Sequence, residues 1–298
     1  MTYDYGRYLA AKRTVDDRAL NGHVLATLRQ VLPTPRPRVL EVGGGVGTMI
    51  GRLLERGVIR GGDYTLLDVD SRLLGESRGW LAGWAKEHGA PFEERADGCL
   101  VGELRVRLCE AALAEHLRGP VAEFYDLLVA HAFLDLVDVD EAVPALLRRL
   151  APGGVYWFTL TYDGETILLP EHPADQAVLG AYHRDMDRRV RDGVRAGDSR
   201  TGRHLFAPLY AAGAGPLAAG ASDWVVHPSA DGGYPHDEAY FLGCILDTVG
   251  AAGTVLADVA PAELAAWLEA RRRQLVAGEL VYVAHQLDVV GVAPTPQE

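Results

Sequence analysis

An α/β fold built on a mostly parallel sheet is what this sequence predicts, and three features predict it. Between about residues 36 and 160, short apolar runs alternate with helical patterns, as βαβ units do. The first run ends in a cluster of glycines, Gly43, Gly44, Gly45 and Gly47, that leads directly into a helical pattern. The second run ends in a carboxylate, Asp68.

The elements follow in order. Arg38 to Val42 reads as the first strand, bounded by Pro35 and Pro37 before it and by glycines after it. A helix starts at Thr48, carries Ile50, Leu53 and Leu54 on one face, and ends near Gly57. Tyr64 to Asp68 is the second strand, and Ser71 is placed to cap the helix that carries Leu73, Leu74, Leu81 and Trp84. Leu104 to Leu108 alternates apolar and charged residues and is the third strand, with residues 91 to 103 as an excursion or hairpin. Asp126 to Ala130 is the fourth. A helix over about 140 to 150 is stopped by Ala151-Pro-Gly-Gly154, and Val155 to Leu160 is the fifth strand. Residues 165 to 200 and 237 to 276 read as helical, Arg203 to Ala212 as an amphipathic helix, Trp224 to Val226 as strand-like and Leu280 to Val290 as a last strand. The expected organisation is one domain over 1–298, with an N-terminal helical lid (1–34) and helical cap insertions at 165–200 and 228–278.

Composition narrows the partners. The chain has 298 residues and a formal net charge of −12, so phosphate backbones and anionic membranes repel it. Nucleic acid and membrane are therefore not expected partners. Cys99, Cys109 and Cys244 show no metal or disulfide spacing, which fits a cytoplasmic setting and no metal cofactor. Neither a nucleophile elbow nor a P-loop occurs.

The glycine segment bears on chemistry. Glycines at a strand-to-helix turn let the backbone bend and approach a ligand, and the helix start behind them offers free N–H groups. A dinucleotide fingerprint needs G-x-G-x-x-G, and neither register here supplies it, because position 48 is Thr and position 50 is Ile. Glu41, two residues before the first glycine, suits a cofactor bearing a cationic amine and would repel a pyrophosphate. Asp68, on a strand beside the first, can accept hydrogen bonds from ribose hydroxyls.

Four segments in order, Glu41-x-Gly-x-Gly-x-Gly47, Leu66-Leu-Asp-Val-Asp70, Asp126-Leu-Leu-Val-Ala130 and Leu150-Ala-Pro-Gly-Gly154, resemble the motif set of class I S-adenosylmethionine-dependent methyltransferases. The resemblance covers residues 36 to 162. It implies a seven-stranded Rossmann-like sheet with the last strand antiparallel, and S-adenosylmethionine as the methyl donor. It implies that Gly43, Gly45 and Gly47 pass under the methionine part of the cofactor, that Asp68 holds the ribose, and that Glu110, with Ala111 beside it, faces the adenine. Asp97 is the alternative to Glu110. Ala130 to Phe133 would line the sulfonium, and His131, where the family often has a small or amide residue, is a candidate general base. In the lid, Arg13 or Tyr8 is placed to meet the cofactor carboxylate or the acceptor.

The expected reaction is in-line methyl transfer to O, N or C of a small-molecule acceptor. The acceptor would lie among Tyr8, Tyr162, His183, Arg200 and His204, while His285 reads as a core histidine. The oligomeric state is open, a homodimer being one arrangement. Two other functions share parts of the pattern. One is an S-adenosylmethionine-binding cyclase, decarboxylase or binding module of the same fold; the other, disfavoured by the glycine register, is a nicotinamide oxidoreductase.

Overall fold

In the computed structural model, residues 4–119, 123–191, 193–256 and 259–294 are described. The strands are β1 (Arg38–Val42), β2 (Gly62–Asp68), β3 (Phe92–Arg95), β4 (Gly98–Val101), β5 (Leu104–Glu110), β6 (Tyr125–His131), β7 (Leu150–Leu169), β8 (Val190–Arg191), β9 (Val194–Arg195), β10 (Ala218–Ala221), β11 (Trp224–Val226) and β12 (Val281–Val292).

Strand β1 is apolar on both faces because helices cover the sheet on both sides. Val39, Leu66, Val106, Leu127 and Val129 point to one face, where they pack with the helices Gly22–Val31, Thr48–Glu55 and Ser71–Glu87. Leu40, Val42, Leu128, Ala130 and Phe158 point to the other, against the helix Val139–Leu147 and the segment from Leu205 to Leu209. The sheet order is β10-β12-β7-β6-β1-β2-β5-β4-β3, with β11 also paired to β12. Pairs β1–β2, β1–β6, β2–β5 and β6–β7 are parallel, and β12 runs antiparallel to β7 and β10.

The seven strands from β10 to β5 are thus the expected Rossmann-like set, with the last strand antiparallel. Leu104–Glu110 is the third of them, and residues 92 to 101 form an antiparallel hairpin on the sheet edge. Strand β10, Ala-Ala-Gly-Ala, carries no branched apolar residue and so gave no strand signal. Its Gly220 is required, since a Cβ there would lie 2.4 Å from the Asn21 side chain.

Four local expectations are corrected. Residues 165 to 169 are not helical: they extend β7, which runs on with β12 beyond the parallel sheet. The extension begins at a bulge where Leu160 has φ of 52° and its N–H donates to Asp288 Oδ1 at 2.8 Å. Asp70, not Ser71, caps the helix Ser71–Glu87, accepting from Arg72 and Leu73 N–H. The stretch 203 to 212 divides between the short helices Thr201–His204 and Phe206–Ala211. His285 is half-buried at the surface of β12, where its Nδ1 lies 2.8 Å from Asp223 Oδ1.

A separate apolar cluster sits on the extension. Val178, Phe241, Leu246, Leu264 and Trp267 belong to it, from the helices Asp175–Asp187, Glu238–Leu256 and Pro261–Ala277, with Tyr282 from β12. The short N-terminal helices Tyr5–Ala11 and Arg13–Ala19 join it through Ala11 and Val15. These helices stand at the C-terminal edge of the parallel strands, the edge where open α/β sheets bind ligands.

Candidate functional site

The turn after β1 follows from its glycines. Gly43, Gly45 and Gly47 have φ of +65°, +53° and +78°, which residues with a Cβ adopt only at a cost. Asp68, at the end of β2, binds this turn directly: its Oδ2 accepts Gly45 N–H at 2.8 Å, and its Oδ1 accepts Asp70 N–H at 2.9 Å. Glu110 is the register partner of Asp68 on β5 and is exposed at the strand end. Ala111 follows it, with its N–H on the Asp68 carbonyl at 3.1 Å. The glycine turn, Asp68, Glu110 and Ala111 therefore lie along one edge.

Glu41 lies beneath the turn and is only 2% exposed. Tyr64 donates its hydroxyl to Glu41 Oε2 at 2.7 Å. Burial pushes the Glu41 pKa up to about 8, with the Tyr64 bond and the Arg52 charge opposing.

Two apolar side chains close on the turn. A Cβ on Gly43 would lie 2.0 Å from the Phe133 ring, and one on Gly45 would lie 3.3 Å from the Leu9 methyl group. Phe133 reaches Gly43 because Ala132, at the end of β6, holds φ of +49°, an uncommon conformation for a residue other than glycine.

His131 ends β6 inside a buried charge network. Its Nδ1 is 2.8 Å from Thr159 Oγ1, and its Nε2 is 3.0 Å from Arg52 Nη1 and 3.2 Å from Asp16 Oδ2. Asp16 Oδ2 also lies 3.3 Å from both Lys12 Nζ and Arg52 Nη2, and Trp224 Nε1 donates to Asp16 Oδ1 at 2.9 Å. Burial and the Arg52 charge push the His131 pKa down to about 4, so the ring is neutral at pH 7. A neutral ring either donates from Nε2 to Asp16 or accepts there from Arg52; the two contacts are alternatives. Burial would raise the Asp16 pKa, but Lys12, His131 and Arg52 outweigh it and hold the carboxyl far below its usual range. Both ring nitrogens of the general-base candidate His131 are thus engaged within the protein in this structure.

The lid residue Arg13 does not face the turn. It bonds Glu55 Oε1 at 2.7 Å and lies over the Trp80 ring, on the outer side of the helix Thr48–Glu55. Lys12 is the inward lid cation. Tyr8 stacks between Tyr5 and Phe241 and packs against the extension core.

Tyr162 and His183 do come together. The Tyr162 hydroxyl is 2.6 Å from His183 Nε2 and 2.7 Å from Thr166 Oγ1, and burial raises its pKa well above the ordinary value. Arg200 and His204 are exposed: the Arg200 charge, after burial, helps to lower the His183 pKa, while His204 Nδ1 is held 2.6 Å from Asp198 Oδ2. Asp126 is structural. It bonds the backbone and guanidinium of Arg38 at the opposite end of the sheet strands. Asp97, between the two hairpin strands, pairs with Arg105 of β5 at 3.0 Å.

Arg52, Asp16 and Trp224 are not expected at the site from sequence. A signal existed for one of them. Arg52 interrupts the apolar side of a helix with Met49 and Leu53, and it is 1% exposed. Among the described residues no group of His, Cys, Asp and Glu is placed to hold a metal ion, and no helix is long and apolar enough to cross a membrane.

Comparison with known proteins places the fold. No family model matches the chain, and no curated protein matches it. A candidate methyltransferase from Bacillus halodurans C-125 superposes with a TM-score of 0.51 at 13% identity, covering 92% of this chain and 100% of that one. A geranyl diphosphate methyltransferase in complex with SAM (TM-score 0.46, 11% identity, 98% and 92% covered) and a cyclopropane synthase from Mycobacterium tuberculosis (0.46, 11%, 92% and 88%) also align. At these identities the likeness is one of fold: a central, mostly parallel α/β sheet of the methyltransferase type.

Proposed function

We propose that this chain is an S-adenosylmethionine-dependent methyltransferase acting on O, N or C of a small molecule. The observation that carries the reading is Asp68, whose carboxylate closes the glycine turn by accepting Gly45 N–H, with Glu110 beside it in register.

The residues fit such a cofactor. Each Asp68 oxygen takes one backbone N–H, and a carboxylate has about four acceptor sites, so capacity remains for two ribose hydroxyls. Glu110 offers a second acceptor along the same edge for an adenine amine, with Ala111 beside it. Glu41, buried, bonded to Tyr64 and neutral at pH 7, supports the turn from beneath rather than meeting a cationic amine, and a ligand reaching Gly43 would have to displace the Phe133 ring. Phe133 and Leu9 supply apolar walls.

When bound, S-adenosylmethionine supplies a methyl group on a positively charged sulfur, already activated for displacement. The chain then has to bind, orient and exclude water. The N-terminal helices cover the turn, and the helices on the β7–β12 extension stand over the strand ends as the acceptor-side cap. Tyr162 and His183, bonded to each other, are the cap residues proposed to face the acceptor. His131 keeps the end of β6 and Arg52 in place rather than moving a proton.

The test is label transfer from methyl-labelled S-adenosylmethionine to a panel of phenols, amines and carboxylic acids. Labelled product is expected. Tight cofactor binding with no labelled product from any class would favour a non-methylating activity of the same fold.

A further inference from the structure

The N-terminal helices Tyr5–Ala11 and Arg13–Ala19 cover the glycine turn with little apolar attachment. Ala11 and Val15 are their only fully buried apolar residues, whereas the next helix, Gly22–Val31, buries Val24, Leu25 and Leu28. Extended backbone at Leu20 and Asn21 separates the two parts, and Asn21 is fixed by its N–H to Asp288 Oδ2 at 2.8 Å.

Tyr8 adds a stacking contact with Phe241, and the other attachments of residues 5–19 are charged. Arg7 bonds Asp237 and Arg18 bonds Glu238 on one side, while Arg13 bonds Glu55 and Asp17 bonds Arg52 on the other. Each of these pairs has a partly exposed partner, and such pairs contribute little, although Glu238 is itself buried and also accepts the Thr14 hydroxyl at 2.7 Å. Asp16 differs. It is 1% exposed, and its carboxylate meets Lys12, Arg52, His131 and Trp224 at 3.3 Å or less. Arg52 belongs to the helix that the glycine turn starts, and His131 ends β6. One lid side chain therefore ties the lid to both walls of the turn.

We infer that residues 5–19 form a lid that opens about Leu20–Asn21, and that the buried Asp16 carboxylate is its latch. Removing the carboxylate leaves the buried Lys12 without its ion-pair partner and Arg52 with Asp17 alone, a cost relieved when the segment swings out and water reaches them. The lid thus opens as a unit while Gly22–Val31 stays in the core. That the ligand behind it is an adenosyl cofactor rests on the function proposed above; the latch does not.

Amide hydrogen exchange read by mass spectrometry tests this on the full chain. In Asp16→Asn, exchange in peptides within 5–19 is expected to rise at least about tenfold, with 22–31 and 38–42 unchanged. Unchanged exchange in 5–19 would overturn the latch. Should Asp16→Asn also lose protection in 38–42, Trp224→Phe decides, since it removes one bond to Asp16 and no charge. Faster exchange confined to 5–19 supports the latch, and wild-type exchange there overturns it. Added S-adenosylhomocysteine is expected to slow exchange in 5–19 of the wild type. If the latch variants behave as stated and this ligand has no effect, the cofactor assignment fails and the latch stands.

Discussion

The Asp68 carboxylate and the Gly45 amide meet at 2.8 Å, joining the end of one strand to the turn that follows its neighbour. The contact fixes the turn and leaves acceptor capacity at the edge where Glu110 also ends. Asp68→Ala is expected to weaken S-adenosylhomocysteine binding by about 1–3 kcal/mol, the usual range for losing a charged acceptor. Calorimetric titration of the variant checks it, and unchanged affinity would remove Asp68 from the site.

Gly43 gives a steric prediction. A Cβ there would lie 2.0 Å from the Phe133 ring in a backbone conformation with φ of +65°. Gly43→Ala should destabilise the fold by about 1–3 kcal/mol. Adding Phe133→Ala should recover part of that loss by removing the clash, leaving the backbone strain. A double-mutant cycle in urea measures the coupling, and strict additivity would show that the ring does not press on the turn.

Glu41 sets a pH dependence of definite sign. Its ordinary value is 4.5 and burial raises it to about 8, so between these pH values the folded chain keeps a proton that the unfolded chain releases. Its contribution therefore lowers stability as pH rises through that window. Glu41→Gln cannot titrate. The stability difference between variant and wild type, measured from pH 5 to 8, should grow in the variant's favour; a flat difference would mean that Glu41 is ionised in the fold.

His131 works in the opposite direction. Its pKa is lowered from 6.5 to about 4, so the unfolded chain binds the proton first as pH falls. Stability from this residue is complete above about 6.5 and is lost as pH drops toward 4. His131→Gln should abolish that slope, and NMR of the imidazole should show a neutral ring at pH 6. A protonated ring at that pH would contradict the network.

Much of this was legible in the sequence, for physical reasons that differ by element. Strands β1, β2, β5 and β6 are covered on both faces or alternate cleanly, so runs such as Arg38–Val42 and Leu104–Leu108 announce themselves. The turn was legible because only glycine tolerates its dihedral angles. Strand β10 was not, because alanine and glycine have little strand propensity, and Gly220 is where the Asn21 side chain approaches. The continuation of β7 to Leu169 was hidden by Asp163, Gly164 and Glu165, residues that break an apolar pattern.

The site divides in the same way. Asp68, Glu110 and the glycines are fixed by their place at strand ends, which sequence order supplies. The buried network was missed because its members are far apart in sequence: Asp16 meets His131 across 115 positions and Trp224 across 208. Arg13 was chosen over Lys12 as the lid cation, yet they are adjacent on a helix boundary, and only the packing shows that Lys12 points inward.

The most direct test of the central claim is isothermal titration of the wild-type protein with S-adenosylhomocysteine and, separately, with NAD. Saturable one-site binding of S-adenosylhomocysteine, with none for NAD, is the expected result. Binding of NAD without binding of S-adenosylhomocysteine would contradict the account.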